Sequence, residues 1–219
     1  MKHEIKYPRT LHLPWSLGVT SDDKLVSETD LINYFNDKDI VITEKRDGEN
    51  TTMRCDKIHA RSLDSNNHPS RNWVKGLWGN IRYEIPEGWR ICGENLYAKH
   101  SLFYSSLQSY FEVFSIWNEN GVCLDWDQTE EYCYLFGLKP VPVLFEGTFD
   151  LRMLKEFHKT LDLKKQEGFV IRLKGSFHHE DFSKSVFKWV RENHVQTNEH
   201  WTTQPIIQNK LKNEIISNT

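Results

Sequence analysis

The 219-residue chain is 38% hydrophobic and 13% aromatic, which excludes a disordered polymer and suits one sizeable core, alone or with a small appendage. No apolar run approaches the roughly 20 residues of a membrane-crossing helix, and "MKHEIKYPRT" has no apolar leader, so a cytoplasmic protein without membrane contact is expected. A net charge of −3 gives no bulk attraction for nucleic acid, although 118–138 holds five acids and no Lys or Arg while 152–191 holds ten Lys/Arg against five Asp/Glu.

Two prolines make "KYPRTLHLPWSLG" an irregular lead-in. "SETDLINYF" opens on capping residues and predicts a short helix with Leu31, Ile32 and Phe35 on its apolar side. "DIVITEK" predicts a strand, "NTTMRC" and "KIHARS" a meander of short strands, and "SNNHPSRN" a loop. Trp73, Leu77, Ile81 and Ile85 recur at helical spacing in "WVKGLWGNIRYEI". "WRICGENLY" predicts a strand, and "SYFEVFSIWNENGVCLDW" a hairpin around an Asn-Gly turn. Helices are expected at "DQTEEYCYLFG" and "DLRMLKEFHKT", on either side of a strand "VPVLFEG". "EGFVIRL" and "SVFKWVR" read as apolar strands, and "IIQNKLKNEII" as a closing helix.

This order lacks a βαβ rhythm, so the fold class expected is α+β with antiparallel sheets flanked by helices. The four cysteines (Cys55, Cys92, Cys123, Cys133) form no CxxC pair and are read as reduced thiols without structural zinc. His178-His179 and the pair His194/His200 lack acid or Cys partners at ligand spacing and are expected at the surface or at a nucleic-acid edge.

The stretch "VITEKRDGEN" carries the chemistry. Asp47-Gly48 after a β-branched run can be a charged hairpin turn, with Lys45 merely solvated. It can equally present Lys45 as a nucleophile at a strand end. An ordinary lysine costs about 4.6 kcal/mol to deprotonate at pH 7, so burial, neighbouring cations or a metal must help it.

"EKRDGEN" resembles the nucleophile motif of the covalent nucleotidyltransferases, the superfamily of DNA ligases, RNA ligases and mRNA capping enzymes. Five further strings follow in that superfamily's order: "HARS" with Arg61, "GENLY" with Glu94, "FEVFSI" with Phe114, "EGFVIR" with Glu167 and "SVFKWVR" with Lys188. The resemblance implies a ligase-type adenylation domain, related to the ATP-grasp kind, over 1–205 with a helical tail at 206–219. It implies Lys45 as the residue that takes AMP. Glu44 would line the adenine site, and Asn50 and Arg61 would meet ribose or phosphate. Glu94 would hold the ribose, Phe114 would stack on the base and Lys188 would reach the α-phosphate. Glu167 would orient the lysine or a hydrated metal ion.

This chain departs from the pattern in two places. Many RNA ligases end on Lys-x-Lys, so Arg191 or Lys184 must supply a second cation here, Arg191 being favoured. Ser115 stands where many relatives carry Asp. Only 28 residues follow Arg191, too few for the roughly hundred-residue OB-fold domain of DNA ligases and capping enzymes. The implied function is therefore an ATP-dependent RNA ligase that uses Mg²⁺ or Mn²⁺ and joins 5′-phosphate to 3′-hydroxyl RNA ends in repair. It is expected to be monomeric, with or without a partner protein for end recognition. A DNA ligase-type nick sealer and a non-catalytic nucleotide-binding module are the alternatives.

Overall fold

A computed structural model describes residues 5–63, 67–192 and 205–212. In chain order its strands are β1 (Leu11–His12), β2 (Asp39–Lys45), β3 (Glu49–Met53), β4 (Ile58–Ala60), β5 (Arg90–Asn95), β6 (Phe111–Trp117), β7 (Val122–Cys123), β8 (Lys139–Pro140), β9 (Val143–Thr148), β10 (Gly168–Leu173), β11 (Phe177–His178) and β12 (Val186–Val190). The helices are α1 (Glu28–Phe35), α2 (Asn72–Ile81), α3 (Trp126–Leu135), α4 (Leu151–Glu156) and α5 (Phe182–Ser185). The α+β class with mainly antiparallel sheets is as expected.

Two sheets form. One runs β1-β12-β10-β2-β9, antiparallel except where β1 meets β12. The other runs β11-β7-β6-β5-β3-β4, with β8 parallel to β6. The charged stretch after β2 is therefore no hairpin: β2 and β3 lie in different sheets, and residues 46–48 carry the chain across between them.

Period-2 alternation sorts the first sheet into two faces. Ile40, Ile42, Phe169, Ile171, Phe187 and Trp189 form one core with Leu31 and Phe35 of α1 and Leu154 of α4. Each fully buried Phe or Ile there contributes about 1.5–3 kcal/mol. The alternate residues, Thr43, Lys45, Val170, Arg172, Val186 and Lys188, line a cavity facing the second sheet. Helix α1 starts as predicted, Ser27 Oγ accepting the Asp30 N–H at 3.0 Å.

Three expectations need correction. Helix α2 stops at Ile81 and the chain turns through 82–84 before Pro86, which disfavours helical backbone at Ile85; Ile85 nonetheless packs into the core beside Ile81. Helix α4 ends at Glu156 and tightens into a 3₁₀ turn over Phe157–Thr160. The third is the tail. Residues 205–211 do not enter the expected helix but run along the loop after β5, bridging Ala98 to Gln208 and Leu107 to Leu211, and helix is assigned at Lys212, the last described residue. Fully buried Asn209 explains this: its Oδ1 accepts the Tyr104 N–H (2.9 Å) and its Nδ2 donates to Leu96 O (2.8 Å). A helix would turn those groups away from the loop. Residues 213–216 of the expected helix lie outside the described residues, as do His194 and His200.

All four cysteines are free, three of them buried. His178 is exposed, with Nε2 3.1 Å from Asn120 O.

Candidate active site

The cavity between the sheets measures about 270 Å³. Glu44, Lys45, Asn50, Arg61, Glu94, Phe114 and Lys188 all line it, residues separated by up to 144 positions in sequence (188 − 44). Glu167 joins them by direct contact of its carboxylate with the Lys45 ammonium. Arg191 is not on this wall. Its N–H donates to Glu167 O (2.9 Å), so it fixes the backbone beside Glu167. Lys184, its alternate, pairs with Asp181 (2.8 Å) on exposed surface.

Each charge of the crossing has a partner. Arg46 donates from Nε to Glu112 and from Nη1 to Glu44, both at 2.7 Å, and its guanidinium lies 5.0 Å from the Tyr104 ring centre. Asp47 Oδ2 accepts the Ser101 N–H (2.8 Å), the Leu102 N–H (2.7 Å) and the Ser101 hydroxyl (2.7 Å). Glu49 accepts from Arg71 Nε at 2.7 Å. Gly48 is required by space, since a Cβ there would lie 2.5 Å from Asn95 O. The crossing is thus pinned on every side, which holds Lys45 at the cavity mouth.

The expectation that surroundings depress Lys45 is not met. Burial does press its ammonium toward neutrality, but Glu167 and then Glu94 outweigh it, and Lys45 sits above the usual lysine range. The nucleophile candidate is an ion-paired cation. Glu94 shows the complementary effect: burial, then the charges of Glu167 and Asp47, push it to about 8 despite Lys45 and the Gly48 N–H that it accepts at 3.1 Å. At neutral pH it is mostly a neutral acid.

That has a consequence for stability. A carboxyl whose folded pKa is raised favours the fold below its unfolded pKa of 4.5 and loses that contribution as pH rises through about 8. Glu94→Gln mimics the neutral acid and loses nothing. Its melting temperature is expected to match wild type near pH 4 and to exceed it by pH 8, as melting curves at both pH values would register.

The cavity has two halves. Phe114 and Ser115 of β6, Val141, Val170, Phe177 and Val186 give an apolar end, where Phe114 packs edge-on against Tyr7 (ring centres 5.1 Å, 68°). Phe114 owes its place to a bulge in the β5–β6 pairing between Cys92/Ser115 and Gly93/Val113. Ser115, in the place of the expected Asp, accepts from Trp117 Nε1 at 3.0 Å. Lys45, Arg61, Lys188 and Arg9 bring positive charge to the cavity. Asn50 Oδ1 is buried with no partner among the described residues, an acceptor left for a ligand donor.

Sequence reasoning missed Tyr7, Asp23, Arg46, Val170 and Arg172, all on the wall. Val170 and Arg172 were readable by counting twos along β10 from Gly168; Tyr7 and Asp23 carried no such signal.

A two-sheet α+β fold with a lysine at the end of an interior strand of one sheet, facing an apolar and cationic cleft, is that of a ligase nucleotidyltransferase domain. Solved structures agree on the fold. An archaeal ATP-dependent RNA ligase superposes with a TM-score of 0.57 at 15% identity, over 85% of this chain and 48% of its own. A putative ATP-dependent DNA ligase from Aquifex aeolicus gives 0.55 at 20%, over 85% and 50%. A Naegleria gruberi RNA ligase mutant with ATP and Mn gives 0.54 at 14%, over 88% and 58%. The chain thus spans about half the length of these neighbours. No curated protein matches it. The RNA ligase family model matches residues 38–190, and the chain belongs to the RNA ligase family.

Proposed function

We propose that this chain is an ATP-dependent RNA ligase that acts through a lysyl-AMP on Lys45 and an adenylylated RNA end. The observation that carries the reading is Lys45 itself, in contact with Glu167 at the mouth of a cavity that Lys188, Arg61 and Phe114 also line.

Phe114 would stack on the adenine from one sheet with Val170 reaching in from the other, a contact worth about 1–3 kcal/mol. Glu44 keeps both carboxylate oxygens occupied by Arg46 and by Gln166 (3.1 Å), so its side chain shapes the base pocket. Asn50 Oδ1 and Glu94 suit ribose hydroxyls. Arg61 and Lys188 would neutralise the phosphates as charge builds on the attacked phosphorus.

The Lys45 nitrogen then forms a bond to the α-phosphorus and pyrophosphate leaves. Glu167 touches the ammonium and is the side chain suited to steer its proton away. The AMP passes to a 5′-phosphate of RNA, a 3′-hydroxyl attacks that phosphorus, and AMP is released. Positioning and charge neutralisation do most of this work.

Among the described residues no cluster of three or more His, Cys, Asp or Glu could hold a metal alone. Glu167, in contact with Lys45, and Glu94 on the cavity wall would suit a hydrated Mg²⁺ or Mn²⁺ held through water and the nucleotide's own phosphates. Such an ion supplies charge neutralisation at the polyphosphate when bound. The same reading makes the chain a monomeric, cytoplasmic enzyme of RNA repair.

The purified chain is expected to seal RNA ends in a panel of nicked duplexes, broken hairpins and single strands. Sealing of DNA nicks alone would replace the reading with a DNA ligase. Adenylylation without any sealing would point to an end-recognising partner protein.

A further inference from the structure

Sequence gives Asp23 no role, yet its side chain reaches the cavity. Strand β1 pairs in parallel with β12, with His12 opposite Lys188. The loop after β1 then brings Asp23 onto both side chains. One carboxylate oxygen, Oδ2, is anchored locally by the Thr20 N–H (3.1 Å) and hydroxyl (2.9 Å). The other, Oδ1, lies 3.8 Å from Lys188 Nζ and 3.4 Å from His12 Nε2.

His12 does not compete as a cation. It is buried, its Nδ1 is 2.9 Å from Ser16 Oγ, and burial, then Lys188, push it down to about 4. A carboxylate on the wall of a cavity that receives phosphates opposes binding unless it serves a cation there. Lys45 already contacts Glu167, and Arg61 Nε is turned to Tyr7 O (3.5 Å). Arg9 donates from Nη1 to Asp22 O, and among the described Lys and Arg side chains Lys188 is the one within 4 Å of the Asp23 carboxylate.

We propose that Asp23 is a positioning residue that holds the Lys188 ammonium at the cavity wall and gives it up to the α-phosphate when the nucleotide enters. The proposal rests on Lys188 being the phosphate contact of the preceding section. It explains why β1 pairs with β12: that pairing brings the loop after β1 beside the lysine strand. It also makes a split prediction. Asp23 repels phosphate, so removing its charge should not weaken ATP binding; it aims Lys188, so removing it should slow transfer.

Asp23→Asn is therefore expected to slow formation of the lysyl-nucleotide about tenfold while KM for ATP stays level or falls. Asp23→Glu should recover part of the rate. Thr20→Val, which loosens the loop but keeps the charge, should keep most of it. The pH profile gives a readout that a purely structural loop would not move. The charged and titratable groups facing Lys188 are Lys45 from β2, Glu167 before β10, Arg61 after β4, His12 of β1 and Asp23 itself. Burial, then Lys45, hold Lys188 below the usual lysine range, with Asp23 opposing them. Without Asp23 the alkaline limb of nucleotide transfer should move to lower pH.

A rate within twofold of wild type, or a raised KM with an unmoved alkaline limb, overturns the proposal. If wild type itself takes no label from α-labelled ATP, the ligase reading has failed and not the role of Asp23.

Discussion

Lys45→Met is expected to end covalent nucleotide capture, a loss of at least about 10³-fold, while ATP binding stays within about tenfold of wild type. Methionine keeps the length and apolar stem of lysine and removes the nitrogen. Phe114, Asn50, Arg61 and Lys188 keep their places on the cavity wall, so the nucleotide should still dock. The fold has a reason to survive as well. Lys45 is partly open to solvent, so losing its ion pair with Glu167 is expected to cost less than the about 3–5 kcal/mol of breaking a fully buried pair. Equilibrium binding of ATP and covalent labelling, measured on the same preparation, separate the two effects. Residual labelling in Lys45→Met would mean that another side chain is the acceptor.

Gly168→Ala should damage the site from behind. A Cβ on Gly168 would lie 2.0 Å from Trp189 O and 3.1 Å from Val190 Cα, both backbone atoms of β12 that no rotamer change can move aside. Gly168 also pairs with Lys45 across β10–β2 and with Val190 across β10–β12. Relief must come from parting β10 and β12, the strands that carry Glu167's neighbour and Lys188. A cost of about 3 kcal/mol is expected, the upper end for overpacking, which for a chain this size lowers Tm by about 6–12 °C. Gly175→Ala, with nothing within 4 Å of the new Cβ, should leave Tm unchanged. Thermal melting of the two variants reads the difference, and equal melting temperatures would show that β12 yields at no cost.

Much of this was legible beforehand for one reason: strands announce themselves by alternation. The "DIVITEK", "EGFVIRL" and "SVFKWVR" strings each place one apolar series in the core and the other series, with Lys45 and Lys188, at the cavity. The motif order supplied Glu94, Phe114 and Glu167. What stayed hidden was long-range. Nothing in "EKRDGEN" says that the chain leaves one sheet for another at that point, because local turn chemistry is the same either way. The first residues of the tail went the same way: 206–211 of "IIQNKLKNEII" have helical spacing, but Asn209's buried amide, bonded across more than a hundred residues, overrides it there. Asp23 and Tyr7 reach the cavity only because β1 pairs with β12, a contact spanning most of the chain.

Arg46 and Asp47 illustrate the same limit on a smaller scale. Their charges invite a catalytic reading, yet Arg46 is engaged by Glu112 and Glu44, and Asp47 by the Ser101–Leu102 backbone. Their hydrogen bonds hold the crossing in which Lys45 is displayed. Lys45 in turn is held as an ammonium against Glu167, so the resting site is not primed by a depressed lysine pKa. Nucleotide arrival must release that proton.

The proposed function turns on a covalent bond between Lys45 and a nucleotide's phosphorus. Wild-type protein incubated with α-labelled ATP and Mg²⁺, then digested and mapped by mass spectrometry, is expected to carry one AMP on the peptide that contains Lys45, through a phosphoramidate that acid cleaves and alkali spares. An unlabelled protein, or AMP on any other residue, would mean that Lys45 is not the acceptor.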